Sequence, residues 1–178
     1  LRGKKFVMSW AYSPSVEKPL AVPQSAIGIA SKFGLNITLA YPEGLDLDPH
    51  IVEEVKANAK KSGGSFEIVN DMKEAFKDAD IVYPKAWTSR HFIPPETKEP
   101  LLDKSQELFD RNKDWKTTKE MMKLAKEDAI YLHCLPADRG WEVDDDVIDG
   151  PQSVVFDEAE NRLHAQKAIL ALLLGGRI

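Results

Sequence analysis

His133-Cys134-Leu135-Pro136 places the only cysteine of the chain beside a histidine at the end of a short apolar run. Two readings of Cys134 stand. It is a reactive or substrate-contacting thiol, or it is a small apolar residue packed like most lone cysteines. Adjacent strand residues point to opposite faces, so His133 is poorly placed to activate the thiol, which argues against a cysteine-protease dyad. Downstream, Asp157-Glu158-Ala159-Glu160-Asn161-Arg162 leads into the last helix. Arg162 read in the first turn of that helix would add bidentate donors to a terminus that attracts anions. It could equally pair with Glu158 or Glu160. Lys85 and Trp87 follow another apolar run, as a site cation and aromatic or as a solvated lysine and a packing indole. Asp144-Asp145-Asp146 reads as the acidic start of a short helix. His50 and His164 have no ligand-spaced partners, so no metal is expected.

These residues need elements to hold them. Strand candidates are Lys5 to Ser9, Asn36 to Tyr41, Ser65 to Val69, Asp80 to Tyr83, Ala129 to His133 and Ser153 to Phe156, rich in Val, Ile, Phe and Tyr. Several are continuous apolar runs, as in strands buried on both faces. Helices are expected over Val22 to Phe33, Pro49 to Ser62, a short stretch opened by a Thr117/Glu120 capping box and running through Lys123, and about Glu160 to Leu174. Asp48, Pro49 and Gly63-Gly64 bracket the second. The last is apolar nearly all round after Ala168, so that end is expected to be buried. The alternation implies an α/β fold: a Rossmann-like parallel sheet with helices on both faces. Trp10 to Pro23 and Lys85 to Lys116 are long, proline-punctuated connections, and long loops in compact domains are usually functional or disordered. In such sheets ligands bind beyond the carboxyl ends of the strands, where the distinctive polar residues fall.

The 178 residues fit one domain with a substantial core. With 43% hydrophobic residues the chain is not disordered. One cysteine excludes a disulfide framework and suits a reducing, cytoplasmic setting. The net charge of −5, with no basic stripe, argues against nucleic acid as a partner. No apolar run is of membrane-spanning length, and no signal peptide is visible. Trp10 to Pro14 lacks the glycines of a dinucleotide site, and there is no phosphate loop of the Gly-Lys-Ser/Thr kind. The chain enters a strand directly from Leu1-Arg2, which reads as one domain of a longer protein.

His133-Cys134-Leu135-Pro136 together with Asp157 to Arg162 resembles the ornithine/aspartate carbamoyltransferase family, over essentially the whole chain. The similarity is to the second, amino-acid-binding domain; the carbamoyl-phosphate-binding N-terminal domain, with its Ser-Thr-Arg-Thr-Arg and His-Pro-Cys-Gln type motifs, is absent from residues 1–178. Trp10-Ala11-Tyr12-Ser13-Pro14, Lys18-Pro19-Leu20-Ala21-Val22-Pro23 and Tyr83-Pro84-Lys85-Ala86-Trp87 resemble the knotted branch, which includes the N-acetylornithine and N-succinylornithine enzymes and a group without an assigned substrate.

The resemblance implies a carbamoyltransferase that takes carbamoyl phosphate and an amino-acid-type acceptor, without a cofactor. It implies a homotrimer when full length, and a trefoil knot formed by the two proline-rich connections. Cys134, Leu135 and Arg162 would bind carbamoyl phosphate, with Cys134 and Arg162 in the catalytic centre. The main-chain oxygens of Cys134 and Leu135 would accept from the carbamoyl NH2. Lys85, Leu135, Trp87, Arg139 and Glu142 would meet the acceptor. Ordinary ornithine enzymes carry an Asp where Lys85 stands, to hold an α-ammonium. A lysine there favours an N-acylated or anionic acceptor. The acetylornithine enzyme has two Arg after its Cys-Leu-Pro and a carboxylated Lys aligned with Glu142. Here Ala137-Asp138-Arg139 and Glu142 stand instead. Ornithine carbamoyltransferase proper, and an inactive anion-binding domain with a regulatory role, are the alternatives.

Overall fold

A computed structural model describes residues 1–99 and 101–175. Five strands form one parallel sheet: β1 (Lys5–Trp10), β2 (Asn36–Ala40), β3 (Ser65–Val69), β4 (Ile81–Lys85) and β5 (Ile130–Tyr131). Their spatial order is β3-β2-β1-β4-β5, so the chain builds outward on one side of β1 and then on the other. Phe6 pairs with both Ile37 and Ile81, and Trp10 reaches Lys85 at the carboxyl ends. β1, β2 and β4 are buried almost throughout, as their apolar runs predict, and the edge strand β3 is largely exposed.

The helices are α1 (Ala21–Ala30), α2 (Pro49–Ser62), α3 (Met72–Phe76), α4 (Leu102–Asp110), α5 (Lys119–Met122), α6 (Asp145–Ile148) and α7 (Val155–Leu173). α2 follows its sequence signals closely. The Asp48 side chain accepts from the His50 N–H, Pro49 occupies the first turn, and Gly63 closes the helix at φ 83°, a conformation that suits glycine. Val52, Val55 and Ala59 are its buried stripe. Asp144-Asp145-Asp146 does open a short helix, α6.

Four expectations are corrected. Ser153 to Phe156 is not a strand: Ser153 makes one parallel bridge to Tyr131, and Val155 already begins α7. A four-residue apolar run reads the same in either state, and here it is the docked first turn of a helix. The cap of α5 is Thr118, whose hydroxyl accepts from the Met121 N–H, because Thr117 is buried and bridged to Val143. The connection after Lys85 holds a helix, α4, which buries Ser105 and Phe109. The apolar end of α7 is exposed, with Ile169, Leu170, Leu172, Leu173 and Leu174 all on the surface; Val155 is its one buried residue among those described. No helix among the described residues is long and apolar enough to cross a membrane.

At the opposite end from the strand termini that carry the motifs, Asp80 pins the sheet. Its carboxylate accepts from Lys4 and Lys126 at 2.8 Å each and from the Lys5 N–H at 2.8 Å.

Candidate functional site at the carboxyl ends of β1, β4 and β5

The connection direction reverses between β1 and β4, and side chains from three strand ends and two loops converge there. Two buried indoles stiffen this edge. Trp10 Nε1 donates to the Trp87 carbonyl at 3.0 Å, and Trp87 Nε1 donates to the Leu45 carbonyl at 2.8 Å. Trp87 is fully buried, so its side chain braces the loop after β4 from beneath.

Lys85 is 7% exposed and its Nζ lies 3.2 Å from Glu142 Oε1. Glu142 is fully buried. Oε1 also accepts from the Ala86 N–H at 2.8 Å, and Oε2 accepts from the Asp138 N–H at 2.9 Å. His133 Nε2 stands 3.3 Å from Oε2, a close contact without good hydrogen-bond geometry. Burial by itself would raise the Glu142 pKa. The facing His133, then Lys85 and the Asp138 N–H, outweigh it and hold the pKa down at about 2. Glu142 therefore spends both oxygens inside the domain and joins the end of β4 to the loop after β5.

A second carboxylate joins the same two strand ends. Glu158, in the first turn of α7, accepts from the Tyr83 hydroxyl at 2.7 Å and from the His133 N–H at 2.9 Å. Burial, then Glu158, push the Tyr83 hydroxyl far above its ordinary pKa, so it stays a donor. His133 Nδ1 accepts from the Leu135 N–H at 3.0 Å, which puts the ring proton on Nε2, facing Glu142. Leu135 sits at φ 46° with a cis bond to Pro136. Among the described residues no protein donor reaches the main-chain oxygens of Cys134 and Leu135.

The Cys134 thiol is half-buried, and burial pushes its pKa up; Lys85 and Tyr83 oppose the rise, and Glu158 and Glu142 add to it. It is a neutral thiol at pH 7, unlike an activated nucleophile. Two clefts flank the Cys134–Leu135 turn. One, of about 390 Å³, is lined by Val22, Ala26, Ile29, Tyr83 and Cys134. The other, of about 370 Å³, is lined by Leu135, Pro136, Ala137, Arg139, Ile148 and Phe156.

The flanking charges are mostly paired. Asp138 accepts from Ser13 Oγ at 2.6 Å and lies 2.8 Å from Lys18 Nζ, which ties the proline-rich loop to the turn. Arg139 grips Asp149 through two nitrogens and Asp145 through one. Arg162 lies two turns into α7, not in its first turn, and is exposed. Its candidate acidic partners are engaged elsewhere: Glu158 as above, and Glu160 by His164 at 3.3 Å. Of the residues singled out from sequence, Lys85, Glu142, Cys134 and Leu135 are brought together. Trp87 lies beneath them, Arg139 is turned to α6 and its following residue, and Arg162 projects from α7. Tyr83, His133 and Glu158 are the structural partners that sequence reasoning missed. Their one signal is position: Tyr83 and His133 end apolar runs read from sequence as strands, and Glu158 follows the run at Ser153 to Phe156.

A family model described as the aspartate/ornithine carbamoyltransferase Asp/Orn binding domain matches residues 20–173. The chain is 51% identical over 149 residues to YgeW of Escherichia coli (strain K12), provisionally named a carbamoyltransferase; the match covers 78% of this chain and 38% of that protein. It is 46% identical over 155 residues to the ornithine carbamoyltransferase of Thermococcus kodakarensis (strain ATCC BAA-918 / JCM 12380 / KOD1), covering 87% of this chain and 46% of that one. The chain thus spans less than half the length of these curated relatives. Among solved structures, acetylornithine transcarbamylase complexed with acetylcitrulline superposes with a TM-score of 0.86 at 35% identity, over 97% of this chain and 50% of that one. With the parallel sheet, the turn at Cys134 and the model match in agreement, the chain belongs to the aspartate/ornithine carbamoyltransferase family, as its Asp/Orn binding domain.

Proposed function

We infer that this chain is the acceptor-binding half of a carbamoyltransferase that moves the carbamoyl group of carbamoyl phosphate to the amine of an amino acid or its derivative. The carrying observation is the Cys134–Leu135 turn, whose two main-chain oxygens have no protein donor among the described residues and stand between two clefts. They are the acceptors that a carbamoyl NH2 needs. The amine attacks the carbonyl carbon, loses a proton, and phosphate departs with the C–O bond electrons. Positioning and fixed charge lower such a barrier. Arg162, with its acidic neighbours already engaged, supplies a cation for the phosphate. The neutral Cys134 thiol lines the site and forms no covalent bond.

Lys85 bears on the acceptor. Its ammonium offers only donors, and Glu142 takes one of them. An amide carbonyl or a carboxylate can accept another; a free α-ammonium cannot. An N-acylated ornithine or another acceptor with such an oxygen fits this corner. The identity to ornithine carbamoyltransferases supports a second reading, in which free ornithine is the acceptor.

The rest of the reading concerns the whole protein: a preceding carbamoyl-phosphate domain, a homotrimer, a cytoplasmic setting suited to one free cysteine, and a trefoil knot. The knot draws support from contacts between the two long connections, such as the Thr88 N–H on the Lys18 carbonyl at 2.9 Å. The deciding experiment is a carbamoyl-transfer assay on the full-length protein with ornithine, N-acetylornithine, N-succinylornithine, putrescine and aspartate. Fastest turnover with an N-acyl ornithine is expected; fastest turnover with free ornithine would overturn the reading of Lys85.

A further inference from the structure

The ends of β4 and β5 are joined by two carboxylates that come from neither strand. Glu158 bridges the Tyr83 hydroxyl and the His133 N–H. Glu142 bridges Lys85 and the Ala86 N–H to the Asp138 N–H and faces the His133 ring. The ring in turn takes the Leu135 N–H on Nδ1. The Leu135 N–H, whose peptide carries the Cys134 carbonyl, is therefore held by an imidazole, and the His133 N–H, two residues earlier, by a carboxylate. Among the described residues, the oxygens of Cys134 and Leu135 are left without a protein donor.

Such an arrangement costs the fold something. Leu135 holds φ 46°, a left-handed conformation unfavourable for a branched side chain, and a carboxylate and a lysine are taken out of water beside it. A purely structural turn would be served by a glycine and two apolar residues. What the two bridges secure is direction: the imidazole holds the peptide plane that carries the Cys134 carbonyl, and Glu158 holds the backbone of the residue that bears that imidazole.

We propose that Glu158 and His133 are positioning residues, a clamp that aims the Cys134 carbonyl at the carbamoyl NH2. This rests on the function proposed above. Neither residue touches a reactant: Glu158 acts through Tyr83 and the backbone, His133 through the Leu135 amide. Glu142 acts one step further back, by facing Nε2 so that Nδ1 remains an acceptor.

The test uses the full-length protein and its best acceptor. Glu158→Ala, Glu158→Gln, Tyr83→Phe, His133→Ala and His133→Asn are compared for kcat, for KM of carbamoyl phosphate, and for hydrogen exchange of the peptide around residues 131–139. The expected result is a fall in kcat of at least ten-fold in Glu158→Ala and His133→Ala, with KM for carbamoyl phosphate within about three-fold. Faster exchange should be confined to that peptide. Glu158→Gln keeps one acceptor, and His133→Asn keeps an acceptor near the Nδ1 position, so each should recover part of kcat. Tyr83→Phe leaves the bond to the His133 N–H and should lose less than Glu158→Ala. Unchanged kcat in Glu158→Gln, Tyr83→Phe and His133→Asn together with faster exchange at residues 131–139 would overturn the clamp, as would loss of kcat that tracks general unfolding without rescue. A parent protein that transfers no carbamoyl group to any acceptor overturns the functional reading itself, which is a different outcome from an active parent with indifferent variants.

Discussion

Lys85 Nζ and Glu142 Oε1 lie 3.2 Å apart, 57 residues apart in the chain, with neither side chain more than 8% exposed. The two sides of this pair are not equivalent. Glu142 also holds two backbone N–H groups, whereas Lys85 has no other partner of its own among the described residues. Removing Glu142 leaves a buried ammonium and two unsatisfied amides; removing Lys85 leaves a carboxylate that still has them. Glu142→Ala is therefore expected to cost about 3–5 kcal/mol and Lys85→Met clearly less. Urea unfolding of the two variants checks the order, and equal losses would contradict it.

Acid should weaken the fold through the same carboxylates. The pKa of Glu142 is about 2 in the fold, below its ordinary 4.5, and that of Asp80 is also depressed: burial raises it, but Lys126, Lys4 and the Lys5 N–H outweigh that. A depressed folded pKa means stability that is complete above the unfolded value and is lost as pH falls toward the folded one. For Glu142 the window runs from about pH 4.5 down to about 2 and carries about 3 kcal/mol. Urea midpoints across that window should fall in the parent, fall less steeply in Glu142→Gln, and less steeply again when Asp80→Asn is added.

The Cys134 thiol should behave as an unreactive one. Burial and the two nearby glutamates hold it protonated, so alkylation by iodoacetamide at pH 8 should be slower than for free cysteine. If its contribution is the main-chain oxygen, Cys134→Ala in the full-length protein keeps kcat within about ten-fold. Complete loss with an intact fold would point to the sulfur instead.

The outer part of α7 carries no weight within this domain. From Ala159 onward every described residue is exposed, while Val155 is buried and Glu158 partly so. Truncation after Arg162 should change the unfolding free energy by no more than about 0.5 kcal/mol, and should reduce binding of a hydrophobic dye by removing Leu163, Ile169 and Leu170 from the surface.

The isolated chain should not turn over. The phosphate-gripping motifs that the proposed carbamoyl-phosphate domain would carry are not in these residues, and Arg162 alone is not a phosphate site. Detectable citrulline-type product from the purified 178-residue chain would contradict this.

What could be read from sequence was what is local. α2 is written in Asp48, Pro49 and Gly63, and the buried strands in their unbroken apolar runs. Ser153 to Phe156 misled because four residues are too few to separate a period of 2 from one of 3.6. α4 was hidden behind Pro94, Pro95 and Pro100, and the exposed end of α7 looked like core because composition does not say what a helix packs against. At the site, Lys85 and Glu142 were visible separately, but their partnership depends on a parallel crossover. Glu158 looked like a partner for Arg162, four residues along the same helix, and instead reaches Tyr83, 75 residues back.

The sheet order also sets how firmly this site is held. Every ladder is parallel, so no strand pairs with its sequence neighbour through a tight turn, and the central β1–β4 pairing must first close the chain between Phe6 and Ile81. β5 joins β4 through two pairs alone, Ile81 with Ile130 and Val82 with Tyr131. The turn at Cys134 hangs from that short edge strand. Binding-competent geometry thus depends on a short, local pairing, one that can open and reclose at the rim while β1, β2 and β4 stay folded.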